Sequence, residues 1–371
     1  MKATSNYAEP LSTLEVHLDR IAWNYLSLRK RLATGADCAA VVKADAYGLG
    51  QLEVSRALYE QECRHFFTAH FDEAEAVRRS LPRDAVVYTL NGPYGATAKD
   101  FTALGIVPVL NTLDDIRYWF DHARHQPKNP PAVIHFDTGM NRLGLSAGEV
   151  AELVDQPGLL KPIDVRYVMS HLACGDEPQH PMNGEQLNLF KNLTATLGRP
   201  LRYSLANSAG IFLGEDYHFD LARPGCALYG INPTGLPENP MQGVITLKCR
   251  ILQARNIDIS TTVGYGAAYK VSPPANCVTV SVGYADGYLR SLTGKGAVFI
   301  GGVKCPVIGR VSMDSIIVDT TALQTQPVVG DWAEVIGEGQ GVDEVAAASV
   351  TIGYEILTSL GKRYRRSYMG S

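Results

Sequence analysis

The sequence offers chemistry first at Lys43, in AVVKADAYGLG, where an apolar run ends on an amine. If that run is a strand delivering its last side chain into a partly dry mouth, burial lowers the lysine pKa and readies the amine for a Schiff base with a carbonyl. The alternative is an ordinary strand-end lysine in solvent. Tyr47 follows four residues on, just before Gly48, and its phenol could either donate to a phosphate or pack. In SLANSAG, Asn207 and Ser208 stand where a run turns into a helix start, so a hydroxyl and free backbone amides could meet an anion. In LARPGCALYG, Arg223 is followed by Gly225 and Cys226, and a glycine lets backbone approach a ligand closely. Each loop alone reads equally as a cap. Arg142 in FDTGMNRLG and His171 in SHLACGDEP add a fixed cation and a titratable ring.

These residues need elements that bring them to one place. Short β-rich runs recur at CAAVVK (38–43), HFFTA (65–69), AVVYT (85–89), IVPVL (106–110), AVIHF (132–136), VRYVMS (165–170), RYSLA (202–206) and FDLA (219–222). Between most of them lie amphipathic stretches such as FDEAEAVRRSL, TLDDIRYWFDHAR, AGEVAELVDQ and GEQLNLFKNLTATL, the pattern of parallel strands with crossover helices. Eight such units predict an α/β fold, an N-terminal (β/α)8 TIM-type barrel, although an open doubly wound sheet shows much the same alternation. In a barrel, the residues named above follow strands one, five, six, seven and eight on the catalytic rim, and the loops after strands seven and eight are a frequent phosphate site. The two loops jointly tip toward phosphate.

Upstream, LEVHL reads as a strand, and Asp19 can cap a helix through about Leu32 with Ile21, Tyr25 and Leu28 on one face. Downstream of INPTGLPENPMQG the helical period fades. ITLKCRILQARNI, CVTVSVGY, GAVFIGG, CPVIGRV, SIIVDT and DWAEVIG read as an antiparallel, mostly β C-terminal domain, and VDEVAAASVTIGYEILTSLG as late helix. The expected organisation is 1–14 as a segment joining the β-domain, 15–240 as the barrel and 241–371 as the β-domain. A length of 371 residues favours two such domains.

Composition narrows the function classes. A net charge of −4, from 34 basic and 38 acidic residues mixed along the chain, offers no broad basic face for nucleic acid or anionic lipid. The N-terminus MKATSNYAEP lacks a secretory pattern and no apolar run spans a bilayer, so a cytoplasmic protein with a short frayed start is expected. Seven scattered cysteines without a C-x-x-C pair read as buried thiols of a reducing compartment, and no metal site is expected.

The motifs then meet a known family. AVVKADAYGLG resembles the cofactor-lysine segment of alanine racemases, and FDTGMNRLG, SHLACGDEP, ANSAG, ARPGCALYG, VGYGAAY, VGYADGYLR, IGRVSMD and GYEILTSLG resemble family segments in the expected order. The resemblance implies pyridoxal 5'-phosphate as cofactor and two-base racemisation of L- and D-alanine, with Lys43 as Schiff-base lysine and one base. It implies Tyr265 as the second base, carried by a head-to-tail homodimer into the partner's barrel. It further implies that Tyr47, Ser208, Tyr354 and the amides near Gly225 and Cys226 hold the phosphate, and that Arg223 faces the pyridine nitrogen. His171 would stack on the ring, Arg142 and Met313 would meet substrate, and Tyr284, Arg290 and Asp314 would surround the entrance. Supply of D-alanine to cell-wall peptidoglycan follows by the same implication. From its surroundings alone, Tyr265 in TTVGYGAAY reads as a strand tyrosine packing at a turn.

The implied chemistry suits these residue types. Racemisation takes a proton from one face of a planar carbon and returns one to the other, so two opposed groups are needed. A tyrosine with a pKa of about 10 serves as a base only if positive charge lowers it, and His171 and Arg223 are the expected sources. An arginine opposite the ring nitrogen does not give up a proton, which weakens the ring as electron sink and favours racemisation over transamination.

One position departs from the family. Where many relatives have a carbamylated lysine that orients the following arginine, this chain has His135. Arg142 is therefore expected to be oriented by a bound anion such as chloride, by water or by another side chain, and His135 equally reads as a satisfied strand histidine. The alternatives are a racemase of serine or of broad specificity, since one methylene discriminates weakly, and a non-catalytic pyridoxal-phosphate carrier.

Overall fold

A short strand, Ser12–His17, enters a sheet built from the far end of the sequence. The structure is a computed structural model and describes residues 9–370. The frayed start expected at MKATSNYA lies outside the described residues. Contacts divide the chain into two units: the residues up to Arg20 together with those from Gly243 onward, and Ile21–Gln242.

The unit Ile21–Gln242 is the α/β barrel. Seven strands pair in parallel in sequence order: Ala40–Val41, His65–Thr68, Val86–Thr89, Ile106–Leu110, Pro131–His135, Asp164–Met169 and Tyr203–Ser204. The eighth, Leu221–Ala222, pairs in parallel with Asp37–Cys38. Backbone bonds tie it on both sides: Asp220 N donates to Tyr203 O at 3.0 Å, and Ala39 N to Ala222 O at 2.9 Å. Regular pairing at strands seven and eight covers two residues each, shorter than the expected 202–206 and 219–222. The chain turns there into ANSAG and ARPG, and Pro224 has no N–H to extend a ladder. Ile106–Leu110 is buried at every residue, as a parallel strand covered on both faces requires.

Helices fall where the apolar period placed them: Phe71–Ser80, Leu113–Ala123, Ala147–Asp155 and Met182–Ala195. Thr112 and Ser146 cap two of them by accepting from the amides of Asp115 and Glu149. The helix Leu18–Arg31 buries Ile21, Tyr25 and Leu28 as expected. Asp19 lies inside its first turn rather than at its cap, because helical backbone already begins at Leu18. There its carboxylate lies near the positive end of the helix dipole.

In the other unit, Ser12–His17 lies between Arg365–Met369 and the thirteen-residue strand Ile245–Ile257, parallel to the first and antiparallel to the second. Ile245–Ile257 also pairs with Ala275–Val280 and Trp332–Ile336, and Ala297–Ile300, Val303–Ile308 and Ile316–Asp319 complete an eight-stranded sheet. The late helical stretch is two helices, Val342–Ser349 and Gly353–Thr358, rather than one. Val350 sits at φ 61° between them, a left-handed position that ends a right-handed helix.

Among the described residues no helix is long and apolar enough to cross a membrane. All seven cysteines are free thiols, six of them buried.

Candidate active site

Lys43 stands where the first barrel strand gives way to a left-handed turn. Ala44, Asp45, Ala46 and Tyr47 all have φ between 52° and 57°. Four consecutive non-glycine residues in this region each cost roughly 1–2 kcal/mol, so surrounding contacts must impose the conformation. Glu73 accepts from the Ala44 amide at 2.8 Å and the Ala69 amide at 2.7 Å. Asp45 accepts from the Gln51 amide, and the Gln51 side chain reaches back to Val42 O. The turn places Lys43 half-buried and Tyr47 buried. Burial, then the charge of Arg142, pushes the Lys43 amine below its ordinary pKa, against a smaller opposing pull from Glu73.

Three segments meet around the Tyr47 phenol. A Cβ on Gly225 would lie 2.6 Å from Tyr47 Oη, so only glycine fits beside this hydroxyl. Ser208 Oγ accepts from the amides of Gly225 at 2.9 Å and Ala227 at 3.2 Å, leaving its own proton to donate. Asn207 Oδ1 accepts from the Gly210 amide and so fixes the turn after strand seven. Hydroxyls and close backbone of this kind suit a phosphate. The ring of Tyr47 is held against Tyr229, centroids 4.7 Å apart.

Arg223 is 3% exposed, and every hydrogen-bond acceptor it reaches is neutral: Ser204 Oγ, Ser170 O at 2.6 Å and Leu205 O at 3.5 Å. Desolvation pushes its guanidinium down to about 9, which leaves it charged at neutral pH. A buried cation bonded to no carboxylate is costly, and it fits a ring nitrogen that accepts a hydrogen bond.

His171 follows strand six by two residues, and burial with the charges of Arg223 and Arg142 pushes its pKa well below the ordinary range. It is therefore neutral, and the expectation that it supplies positive charge to a tyrosine base is corrected; Arg223 remains as a source. Its backbone oxygen is fixed by Gln186, which also donates to Thr138 Oγ1.

Arg142 is exposed and hydrogen-bonds to no described residue, although its charge lowers the pKa values of Lys43, His135 and His171. His135 is 7% exposed, its Nδ1 is 2.8 Å from Asn111 Oδ1, and burial pushes it down to about 3. It is the satisfied strand histidine of the two readings.

In the other unit, Tyr265 tips the hairpin between Thr261–Val263 and Tyr269–Val271. Gly264 and Gly266, both at positive φ, let that tip lie against Arg310. Beneath it pack Ile257, Val271, Cys277 and Ile308. Tyr265 is 71% exposed, and Met313, Tyr284 and Tyr354 are also exposed, as are Arg290 and Asp314. Arg363 joins the loops carrying several of these: it binds Asp286 through two nitrogens at 2.6 and 2.8 Å and Asp314 at 2.7 Å. The Tyr284 amide donates to Ser312 O and the Ala285 amide to Met313 O, which ties the two loops together.

Glu73, Asn111, Gln186 and Arg363 organise these sites and were not singled out from the sequence. Asn111 carried a signal, a polar residue directly after the apolar strand IVPVL. Glu73, Gln186 and Arg363 read as ordinary polar surface residues, and only the fold brings them to their partners.

Residues 16–233 match the alanine racemase N-terminal domain family and residues 244–368 the alanine racemase C-terminal domain family. The alanine racemase of Brucella abortus is 45% identical over 370 residues, covering 96% of this chain and 93% of that one. A catabolic alanine racemase of Agrobacterium fabrum is 46% identical over 358 residues, covering 96% and 92%. The crystal structure of alanine racemase from Bartonella henselae with covalently bound pyridoxal phosphate superposes with a TM-score of 0.94 at 41% identity, covering 97% of this chain and all of that one.

Proposed function

The chain belongs to the alanine racemase family, and from that premise we propose how its own residues interconvert L- and D-alanine with pyridoxal 5'-phosphate. The observation that carries the assignment of residues is the barrel rim, where a half-buried amine, a hydroxyl-lined glycine cradle and a buried arginine bonded to no carboxylate meet at strands one, seven and eight.

Tyr47 and Ser208, with backbone at Gly225 and Cys226, would hold the cofactor phosphate. Lys43 anchors the cofactor aldehyde. When bound, the cofactor withdraws electrons from the substrate and acidifies its α C–H bond. Arg223 offers the ring nitrogen a hydrogen bond but no transferable proton, which restrains that withdrawal and favours return of the proton to the α-carbon. Lys43 Nζ, its pKa lowered by burial and by the charge of Arg142, moves the proton on one face. Tyr265 of the partner subunit moves it on the other; its exposure in the chain supports this, since a catalytic phenol needs a dry environment that its own hairpin does not supply. Arg142 meets the substrate carboxylate, Met313 of the partner subunit lies near the substrate, and Tyr284, Arg290 and Asp314 line the entrance. The enzyme is a cytoplasmic homodimer that supplies D-alanine to peptidoglycan.

The test is turnover of L-alanine, D-alanine, L-serine and other amino acids by the holoenzyme in deuterated water. Alanine is expected to be fastest, with deuterium appearing at the α-carbon of the inverted product. Exchange that retains configuration would defeat the two-base assignment.

A further inference from the structure

The backbone on either side of Lys43 is held by side chains from two different helices. Before it, the Val42 amide continues the strand ladder to Phe67 O at 2.8 Å, and Val42 O accepts from the Ala46 amide at 3.0 Å and from Gln51 Nε2 at 3.1 Å. After it, the Ala44 amide donates to Glu73 Oε1 at 2.8 Å. Gln51 opens the helix Gln51–Glu60, whereas Glu73 lies in the first turn of Phe71–Ser80, the helix that follows the second barrel strand.

The two oxygens of Glu73 do different things. Oε2 accepts from the amides of Ala69 at 2.7 Å and His70 at 3.3 Å, the ordinary work of a glutamate at the third position of a helix. A cap needs nothing more. Oε1 crosses instead to the peptide directly after Lys43, where the left-handed run Ala44–Tyr47 begins. Non-glycine residues keep that conformation only where neighbours impose it. A neutral oxygen could accept the same bond, but a carboxylate also sets a negative charge near the amine. The charges acting on Lys43 are Arg142, from the loop after strand five, and Glu73, and they pull its proton affinity in opposite directions. His171, its pKa lowered, and Tyr47, its pKa raised by burial, are both neutral.

We propose that Glu73 is a positioning residue for Lys43: it fixes the peptide that follows the lysine and keeps a negative charge opposed to that of Arg142. The proposal rests on the role of Lys43 given above. A lysine that takes a proton in one direction of racemisation and gives one in the other needs an amine whose two protonation states stay close in free energy. Burial and Arg142 both favour the neutral state, and Glu73 restores part of the charged one. A reacting group displaced by about 1 Å can lose roughly a hundredfold in rate, so the contact that holds the turn also protects the geometry of the proton transfer.

The experiment follows acylation of Lys43 against pH in the full chain freed of cofactor, with the labelled lysine identified by mass spectrometry. Glu73→Gln keeps the length and one oxygen but removes the charge, and its profile is expected to shift to lower pH than the parent's. Glu73→Ala removes the bond as well; kcat for alanine in the holoenzyme is expected to fall roughly ten- to hundredfold while KM stays within about threefold. Thr97→Ala is the control for lost capping, because Thr97 Oγ1 accepts from the Asp100 amide at the start of another barrel helix. It is expected to leave both readouts at parental values. A Glu73→Gln profile that coincides with the parent's overturns the proposal, as does a Glu73→Ala rate loss that Thr97→Ala reproduces. If Glu73→Ala does not fold, the Glu73→Gln profile decides alone. Racemisation by Lys43→Ala would instead defeat the role of the lysine, and the acylation profiles, which need no turnover, tell the two failures apart.

Discussion

The two units hold their functional side chains in opposite ways. On the barrel rim, Arg223, Ser208 and Tyr47 are 3%, 4% and 7% exposed, and neighbouring backbone or side chains fix each of them. On the β-rich unit, Tyr265, Met313 and Tyr284 are 71%, 52% and 43% exposed. A buried polar set is organised by its own fold before anything binds, which is the condition for electrostatic preorganisation. Exposed aromatic and apolar residues held on paired loops are a surface waiting to be covered. The contrast fits a site of which one chain supplies the cofactor half and a second chain the opposing base.

Separating activity from stability gives the largest effect. Tyr265→Phe is expected to lower racemisation by roughly 10²–10⁴-fold, the usual worth of a positioned acid or base. Its thermal unfolding should stay within about 0.5 kcal/mol of the parent, as for a surface substitution. Gly225→Ala should do the reverse. A Cβ forced against Tyr47 Oη costs about 1–3 kcal/mol of packing. Cofactor affinity, read by absorbance titration of the apoenzyme, is expected to fall roughly ten- to hundredfold while the β-rich unit keeps its fold.

Acid should act on the barrel first. His65 and His135 are pushed by burial from 6.5 to about 4 and about 3, and His171 is lowered too, whereas the β-rich unit has only His17. A histidine depressed in the folded state contributes stability above its unfolded pKa and loses it as pH falls toward the folded value. Stability measured by denaturant titration is therefore expected to decline from pH 6.5 downward, each buried histidine adding up to about 1.4 kcal/mol per pH unit. A flat profile between pH 6.5 and 4 would show that these histidines are solvated. The smallest effect concerns Lys43. Removing the nearby charge in Arg142→Gln should raise its pKa, seen as a shift to higher pH in the reaction of the apoenzyme amine with an acylating probe; burial, the larger cause, keeps the value below that of a free lysine.

The same contrast explains what could be read from the sequence. The barrel strands announce themselves because they are buried on both faces and are nearly continuous apolar runs. The residues after them then fall on one rim by topology alone, which is why Lys43, Ser208 and Arg223 are legible in the amino-acid order. The left-handed turn at Ala44–Tyr47 is not, because ADAY contains no glycine and the contacts that impose the turn come from Glu73 in a different helix. Nor could Asn111 be chosen as the partner of His135, since that pairing joins the ends of two neighbouring strands. Tyr265 is the extreme case. An exposed hairpin tyrosine carries no local mark of catalysis, and only resemblance to a family marks it.

The shared site can be tested by mixing two inactive homodimers, Lys43→Ala and Tyr265→Phe, under conditions that let subunits exchange. In a mixed dimer the unaltered lysine of one chain faces the unaltered tyrosine of the other, so one of its two sites is whole. Random pairing is then expected to restore about a quarter of parental activity. Mixed dimers detected by native mass spectrometry with no recovered activity would contradict the account, because each site would then be built from a single chain.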